Sequence, residues 1–490
     1  MGVLAGRVEA LEAENAELRA ENAELKRRLG MNSTNSGTPT SKESVEAAAK
    51  RKAGRRSSQR VRSKDRRPGG QSGHKGSGLE PARGDEITSA ERAEPPVECA
   101  SCGAGLAGAA DAGDGWAQIW DIAPIALEKV HWVLPRRRCG CCAKTTTALV
   151  PFAQSGTVAY GPGVNAAAVV LAGEGNVPVE RAAMLIEALL GVSVSTGFVA
   201  RAAERVAHRL EAAGFDAAIR NALRAEDVLL GDETPVNVAF KACDPETGAP
   251  VPGAEHVVTV RTPDERLVLL AATSSRSSAA IKAVGVLEGW HGWLVRDDYA
   301  GWHQFDPALA GVGLCGAHLI RDLQGVLDTH PDWQAWAGRA QQILREANHA
   351  VTAAKARGAR HLDPDLLADL HKRFNNEIAW GITTNRHRDW HNGNHPGYLL
   401  AKRLHDKTDQ VWLWCRNFDV PWTNNASERA LKHPKLHQKV SGYWHTLATL
   451  TRYCRLRSYL ISARNHGLRP IDAIHAALLG TPWRPTTATT

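Results

Sequence analysis

The hydrophobic positions at the start of the chain repeat every seven residues. The apolar stripe has two positions in each heptad. The first position holds Leu4, Leu11, Leu18 and Leu25, and the second holds Val8, Asn15, Asn22 and Leu29. A narrow apolar stripe with two seam asparagines favours a parallel two-stranded coiled coil over residues 1–30, and therefore a homodimer or higher oligomer. The alternative is a single amphipathic helix that packs on its own protein.

A helical pattern returns between Tyr160 and Ala213. NVPVERAAMLIEALLG predicts one helix, Gly191 and Ser193 predict a turn, and STGFVARAAERVAHRLEAA predicts a second helix that opens at Ser195. This order resembles a DNA-binding helix-turn-helix, although helix pairs are common in proteins of every function. The pattern predicts the two helices and leaves DNA binding by them open.

An α/β core is expected after these helices. DVLLGDETPVNV, EHVVTVRT and RLVLLAAT predict three strands, SSAAIKAVGVLEG predicts a helix, and GWLVRDDYAGW predicts a fourth strand. This is the order of elements in a ribonuclease-H-like sheet. Further on, PDWQAWAGRAQQILREANHAV predicts a mostly helical insertion.

Carboxylates stand at the ends of two of these predicted strands. The first strand ends in Asp232 and Glu233, and the fourth ends in Asp297 and Asp298. A single acid at a strand end is most often part of a solvated turn. Neighbouring carboxylates repel one another unless a divalent cation lies between them, and oxygen ligands suit Mg²⁺. The functional alternative is therefore a metal-dependent site for phosphoryl transfer.

The composition indicates a folded, cytoplasmic chain of several domains. Of the 490 residues, 43% are hydrophobic and 23% are charged, which excludes wholesale disorder. No apolar run reaches about 18 residues, which excludes a transmembrane helix, and the acidic heptads begin too early for a signal peptide. Nine cysteines in a chain of this length favour metal binding in a reducing cytoplasm over a disulfide scaffold.

The positive charge is concentrated in one segment. The whole chain has a formal net charge of +8, whereas the segment from Lys50 to Gly76 has eleven Lys or Arg and one acid, Asp65. This segment contains glycine and serine and lacks apolar periodicity, which predicts a flexible basic arm that neutralises DNA phosphates. The alternative is a solvated linker that binds nothing.

Two pairs of cysteines have the spacing of zinc ligands. Cys99 and Cys102 form one C-x-x-C, and Cys139 and Cys142 form another, with 36 residues between the pairs. Four thiolates predict a tetrahedral, structural Zn²⁺ site, in which Cys141 is an alternative ligand. The other interpretations are buried cysteines without a metal, or a redox pair. WAQIWDIAPIALEKVHWVLPRRR, between the pairs, predicts two strands.

Specific motifs follow one another from about Leu4 to Pro470. They are the leucine repeat with its Asn- and Ser-rich tail, RRPGGQSGHKG, the paired C-x-x-C, GDETPV, VRDDYAGW, CGAHLIRDLQ and NNASERALK. In this order they resemble the insertion-sequence 66 family of bacterial DDE transposases. The resemblance implies binding of terminal inverted repeats, and DNA cleavage and strand transfer that depend on Mg²⁺ or Mn²⁺. It implies Asp232, Asp297 and Glu428 as the catalytic, metal-binding acids.

Some motif residues have competing interpretations. Asn425 could cap a helix with Glu428 at its third position, a capping-box-like pair that needs no chemistry. Asp298 stands where the family pattern more often has Gly, and is a further candidate for the metal site. The CGAHLIRDLQ block is either a second metal-binding corner or a packed helix face, and its residues of interest are Cys315, His318 and Arg321.

Together these patterns predict a multidomain α/β protein. Its expected parts are a coiled coil (1–30), a basic disordered arm (31–90), a zinc-binding domain (91–155), a helix-turn-helix-like segment (156–222), a ribonuclease-H-like catalytic domain (223–470) with a mostly helical insertion (about 325–415), and a tail (471–490). The expected partners are double-stranded DNA, at transposon ends and target, further copies of the chain, and accessory proteins of the same element, in a cytoplasmic, nucleoid-associated location. The rival functions are a non-catalytic, zinc-containing DNA-binding regulator and a ribonuclease-H-like nuclease without strand transfer.

Overall fold

The computed structural model describes residues 80–123, 125–240, 254–388, 390 and 393–486, and part of the first 35 residues. The basic arm, Leu4 and Leu11 lie outside the described residues. The chain forms two compact units, one of residues 55–128 and one of residues 1–54 with 129–490. In the described part of the chain, no helix is long and apolar enough to cross a membrane.

The unit of residues 55–128 contains little regular structure. Its described part has a short 3₁₀ helix, Gly84–Glu86, and a single bridge between Glu98 and Gly105. The sequence predicts two strands in residues 116–138, but only the last three residues, Arg136–Arg138, are in a strand, and the described residues of 116–135 contain none. Apolar side chains there are exposed, with Ile119 91% exposed, so no buried face selects an extended register.

Seven strands lie in the described residues. They are β1 (Arg136–Arg138), β2 (Thr145–Thr147), β3 (Val228–Val236), β4 (Glu255–Arg261), β5 (Val268–Thr273), β6 (Trp293–Arg296) and β7 (Gly311–Leu314). β1 and β2 form an antiparallel hairpin. β3 to β6 confirm the four predicted strands of the core, whereas β7 is a strand of four residues, too short and too rich in glycine to give an apolar pattern.

The five strands β3 to β7 form one mixed sheet in the order β5-β4-β3-β6-β7. β4 is antiparallel to both β3 and β5, whereas β6 is parallel to β3 and β7 is parallel to β6. The carboxyl ends of β3, β5, β6 and β7 therefore lie along one edge of the sheet. This edge brings together residues that are far apart in sequence.

Thirteen α-helices lie in the described residues. They are α1 (Pro162–Val169), α2 (Val179–Leu190), α3 (Thr196–Ala212), α4 (Phe215–Arg224), α5 (Ser278–Lys282), α6 (Gly316–Leu327), α7 (Ala335–Ala356), α8 (Pro364–Asn385), α9 (Pro396–Asp406), α10 (Thr408–Arg416), α11 (Asn425–Val440), α12 (Leu447–Asn465) and α13 (Pro470–Leu478). A π-helical turn, Val170–Glu174, follows α1, and a 3₁₀ helix, Ala300–Ala308, follows β6.

The predicted helices differ in how well they match the helices of the structure. α2 and α3 confirm the predicted pair, with Gly191 in the left-handed region after α2 and the Ser195 hydroxyl accepting a hydrogen bond from the Phe198 amide. α5 ends at Lys282, earlier than predicted, and turns containing Gly285 and Gly289 at positive φ follow it. In the described residues of the zipper, positions from Glu14 to Arg28 are helical, which leaves the prediction of a coiled coil untested.

Helices cover both faces of the sheet. Alternate residues of β3 belong to different hydrophobic clusters. Leu229 belongs to the cluster that contains residues of α1 to α4, α12 and α13, whereas Leu230 belongs to the cluster that contains residues of α6 to α10. Burial on both faces explains the apolar runs within the strands of this sheet, such as Val228–Leu230 of β3 and Val268–Ala272 of β5. A third cluster joins β4 and β5 to α11 and α12. The sheet edge that carries the acids is thus held by packing on either side.

Candidate active site

Asp232 and Asp297 occupy matching positions at the point where β6 ends beside β3. Leu230 of β3 pairs with Val295 of β6; two residues further on, Asp232 lies within β3 and Asp297 directly follows β6. Because side chains alternate along a strand, Asp232 is on the same face as Leu230, toward α6. The register therefore brings two carboxylates to one point on the sheet edge.

The electrostatics of Asp232 show that acids are concentrated here. Its side chain is buried, and burial raises the pKa of Asp232 well above its ordinary value. The negative charges of Asp297, Glu233 and Glu428 raise the pKa further, while a hydrogen bond from the Glu233 amide lowers it. Asp232 therefore interacts with both of the other predicted acids, and a cation would relieve this repulsion.

Glu233 lies on the opposite face of β3 from Asp232. Trp302 donates its indole hydrogen to Glu233 Oε2 at 2.7 Å. Burial, followed by the charge of Asp297, raises the pKa of Glu233 to about 7. A Cβ atom at Gly231 would lie 2.9 Å from the Trp302 ring, so glycine in the GDET motif leaves space for the tryptophan of the DDYAGW motif.

The segment after β6 orients Asp297. The Tyr299 amide donates to Asp297 Oδ1 at 3.1 Å. Arg296 is completely buried, donates to the Asp297 carbonyl oxygen at 2.7 Å, and forms an ion pair with Asp306 at 2.7 Å. The side chain and the backbone carbonyl of Asp297 are thus each fixed by a hydrogen bond.

Asp298 is held by cations of the helical segment. Its carboxylate contacts Lys407, accepts from His303 at 3.0 Å and lies 3.6 Å from Arg403. Burial raises its pKa, but the bonds to Lys407, His303 and Arg403 more than offset this effect and lower the pKa below its ordinary value. Asp298 therefore anchors β6 to α9 and α10.

Glu428 lies in the first turn of α11 and takes no part in a capping box. The helix follows Asn424, whose side chain donates instead to the Gly231 carbonyl oxygen at 2.7 Å. The predicted cap at Asn425 is therefore wrong, because Asn425 is already inside the helix. Completely buried Arg261 donates to the Ala426 carbonyl oxygen at 2.7 Å and ties this turn to β4.

The carboxylate of Glu428 is bound by Arg321 of α6. The Arg321 guanidinium donates to Glu428 Oε1 at 2.8 Å, and His318 Nε2 lies 3.8 Å from the same oxygen. Burial, followed by the charge of Arg321, lowers the pKa of His318. Buried Cys315 accepts a hydrogen bond from the Asn424 amide at 3.2 Å. The CGAHLIRDLQ block is therefore a packed helix start that faces Glu428.

The donor set is suitable for a hard cation, although its members are not gathered around one point. Among the residues that the structure describes, no group of three or more His, Cys, Asp or Glu is arranged to hold a metal ion. Asp232 and Asp297 present the oxygen ligands that Mg²⁺ prefers. Glu428 is near enough to act on Asp232 but is paired with Arg321.

The two C-x-x-C pairs have the same backbone geometry. The Cys99 amide bonds to the Ala104 carbonyl at 2.9 Å and the Cys139 amide to the Lys144 carbonyl at 2.8 Å. The residue after the second cysteine has a positive φ in both, 74° at Gly103 and 55° at Ala143. The equivalence pairs Cys139 with Cys142 and leaves Cys141 in the place of Ser101. Hydrogen bonds from backbone amides lower the pKa of Cys99 and of Cys139, which favours the thiolate that a metal needs.

Sequence reasoning missed several residues that build this site. Trp302, Asn424 and Arg261 position the acids, yet each acts on a partner at least 69 residues away in sequence. The signal available was membership of motifs, since Trp302 closes DDYAGW and Asn424 opens NNASE. Arg261 carried no motif and could not have been found in this way.

The fold and the site define a class of α/β protein in which a mixed sheet collects acidic residues at one edge. The family described as "Transposase IS66 family" matches residues 157–451, which is more than half of the chain and includes all three acids. The chain therefore belongs to the IS66 family of transposases. No curated protein gives a significant match to the chain.

Proposed function

We propose that the protein is the DNA transposase of a bacterial insertion sequence, which binds terminal inverted repeats and catalyses metal-dependent DNA cleavage and strand transfer. The observation that carries the proposal is the strand register that brings Asp232 of β3 beside Asp297 after β6, with the charges of both Asp297 and Glu428 acting on Asp232. Membership of the IS66 transposase family supports the assignment of this edge as the reacting centre.

The topology supports a ribonuclease-H-like catalytic domain. Three antiparallel strands are followed by a helix and then by two strands parallel to the first, in the order β5-β4-β3-β6-β7. The first acid lies within the first strand, the second directly follows the parallel neighbour of that strand, and the third lies on a helix after the insertion. α7 to α10 make up most of this helical insertion.

Asp232, Asp297 and Glu428 are the residues that would hold Mg²⁺ or Mn²⁺. When bound, two such ions activate the attacking oxygen and stabilise the leaving oxygen of an in-line phosphoryl displacement. The chain's own residues position the acids. Trp302 and Tyr299 fix the segment around Glu233 and Asp297, and Arg321 binds Glu428 until the site is assembled.

The remaining parts of the chain are proposed to bind and pair DNA ends. The residue 1–30 zipper forms a dimer, the arm from Lys50 to Gly76 binds phosphates, and the two C-x-x-C knuckles bind structural Zn²⁺ through Cys99, Cys102, Cys139 and Cys142. These roles place the protein in the cytoplasm with the nucleoid, working with accessory proteins of its element.

A strand-transfer assay tests the proposal. Purified protein is incubated with Mg²⁺, a labelled duplex that carries the element's terminal repeat and a supercoiled target plasmid. The expected product is the labelled end joined covalently to the plasmid. Cleavage without joining would support the nuclease, and binding without cleavage would support the DNA-binding regulator.

A further inference from the structure

An arginine is stacked on a tyrosine beside the acidic edge of the sheet. The Cζ atom of Arg276 lies 3.7 Å from the centroid of the Tyr299 ring. The Tyr299 hydroxyl donates to the Arg276 carbonyl oxygen at 2.9 Å. The ring therefore contacts the guanidinium while its hydroxyl holds the backbone of the same residue, which restricts the arginine to one position.

The stack is built into the candidate active site. Arg276 follows β5, whose carboxyl end lies at the same sheet edge as those of β3 and β6. Tyr299 also donates its amide hydrogen to Asp297. Burial raises the pKa of Glu233, and the nearby charge of Arg276 lowers it. The arginine is thus beside the acids without being ion-paired to them.

A glycine keeps the ring in place. A Cβ atom at Gly301 would lie 2.4 Å from the Tyr299 ring and 3.1 Å from the Arg276 carbonyl oxygen. Any side chain at this position would push the ring away from Arg276. The glycine of the DDYAGW motif therefore supports the stack directly.

The guanidinium of Arg276 has donors available for a ligand. Its side chain is exposed, and no carboxylate among the described residues forms an ion pair with it. Arg266, at the turn between β4 and β5, differs in this respect, because it is paired with Asp264 at 2.6 Å and with Glu226 at 3.0 Å. A planar, immobilised guanidinium without an anionic partner is suited to a phosphate group.

We propose that Arg276, held against Tyr299, binds one backbone phosphate of the DNA strand that enters the acidic site, close to the scissile phosphate. This inference rests on the proposed transposase function and deepens it. The phosphodiester supplies the anion that the arginine lacks, and the contact positions the strand relative to Asp232 and Asp297. Arg276 is a positioning residue, since it leaves the acids themselves to act at the scissile bond.

The test uses the full chain and a fluorescein-labelled duplex that carries the element's terminal repeat. Arg276→Ala is expected to raise the KM for this DNA by about tenfold or more, the loss expected for a hydrogen bond between charged groups. The salt dependence of binding, measured by fluorescence anisotropy, should fall by about one counterion. Arg276→Lys should recover part of the affinity, and Arg266→Ala is the matched control that should change neither value.

Neutral methylphosphonates, placed one at a time along the strand, identify the contact. At one position close to the cleavage site, the substitution should weaken the wild type but add nothing to the loss in Arg276→Ala. Additive losses at every position, or unchanged binding by Arg276→Ala, would overturn the inference while leaving cleavage by the wild type intact. Absence of cleavage by the wild type would instead count against the proposed function.

Discussion

Arg321, in the second turn of α6, and Glu428, in the first turn of α11, form an ion pair of 2.8 Å although they are 107 residues apart in sequence. Glu428, the acidic member of this ion pair, is the residue that the family resemblance assigns as the third metal ligand. Because one carboxylate oxygen is shared with a guanidinium, its affinity for a cation is reduced until the arginine moves. We therefore expect this ion pair to control when the acidic site is complete.

Removal of this arginine should strengthen metal binding in the absence of DNA. Arg321→Gln is expected to bind Mn²⁺ about five- to tenfold more tightly than the wild type, because one nearby positive charge is lost. Isothermal titration of the DNA-free protein measures the effect. In the Glu428→Gln background the same substitution should have little effect, and weaker Mn²⁺ binding by Arg321→Gln would contradict the control of Glu428 by this pair.

The raised pKa of Glu233 predicts a pH-dependent gain in stability for Glu233→Gln. In the unfolded chain this carboxyl ionises near its ordinary value of 4.5, whereas in the fold it ionises near 7. Ionisation of Glu233 therefore destabilises the metal-free wild type as the pH rises from about 4.5 to 7, and the amide variant lacks this one contribution. Urea unfolding in EDTA should show Glu233→Gln gaining about 1–3 kcal/mol relative to wild type between pH 5 and pH 8.

Asp298→Asn is the control for this measurement. Its cationic partners lower the pKa of Asp298, so its contribution is complete above 3.8, its ordinary value, and is lost only at lower pH. The difference in stability between Asp298→Asn and wild type should therefore stay nearly constant from pH 5 to pH 8. A constant difference for Glu233→Gln as well would show that Glu233 is already ionised at pH 5.

The matching geometry of the two cysteine knuckles predicts which thiols bind zinc. Cys99→Ser and Cys139→Ser should each lower the zinc content and loosen the local fold, because thiolate binding energy is folding energy there. Cys141→Ser should retain zinc, since this residue corresponds to Ser101 of the other knuckle. Elemental analysis measures the zinc content of each variant. Wild-type protein that contains no zinc after purification would contradict the four-cysteine site.

Deletion of the zipper and deletion of the basic arm should affect DNA binding in different ways. Deletion of residues 1–29 should weaken paired-end complexes more than binding to a single end, because two linked arms raise the effective concentration of the second end. Deletion of residues 50–75 should weaken both and flatten the salt dependence. Analytical ultracentrifugation and gel shifts with one or two ends measure this. A zipper-deleted protein with unchanged oligomeric state and normal end pairing would assign pairing to the catalytic domain.

The fold could be predicted where local pattern and burial agree. The apolar starts of β3 and β6 are covered on both faces of the sheet, so the acids that follow these apolar runs stand out. Asp297 does follow β6, whereas β3 continues past Asp232 to Val236, so the prediction that Asp232 ends its strand is wrong. The segment of residues 116–135 has a similar apolar content but exposed side chains, so the same reasoning predicted strands that are absent from its described residues.

The candidate site was harder to predict from the sequence because its contacts join segments that are far apart along the chain. Glu428 was expected from the family resemblance alone, since the local pattern favoured a cap at Asn425. The side-chain bond from Asn424 to the Gly231 carbonyl, which replaces that cap, spans 193 residues. The stack of Arg276 on Tyr299 likewise depends on a sheet edge that only the strand order creates.

A comparison of the neighbouring acids Asp297 and Asp298 is the most direct test of the central claim that Asp297 is catalytic. Cleavage of a terminal-repeat duplex in Mg²⁺ is compared between Asp297→Asn and Asp298→Asn, with circular dichroism and DNA binding as measures of folding. We predict that Asp297→Asn binds DNA but shows no detectable cleavage, as do Asp232→Asn and Glu428→Gln, whereas Asp298→Asn still cleaves. Full cleavage by Asp297→Asn, or loss of cleavage in a folded Asp298→Asn alone, would contradict the assignment.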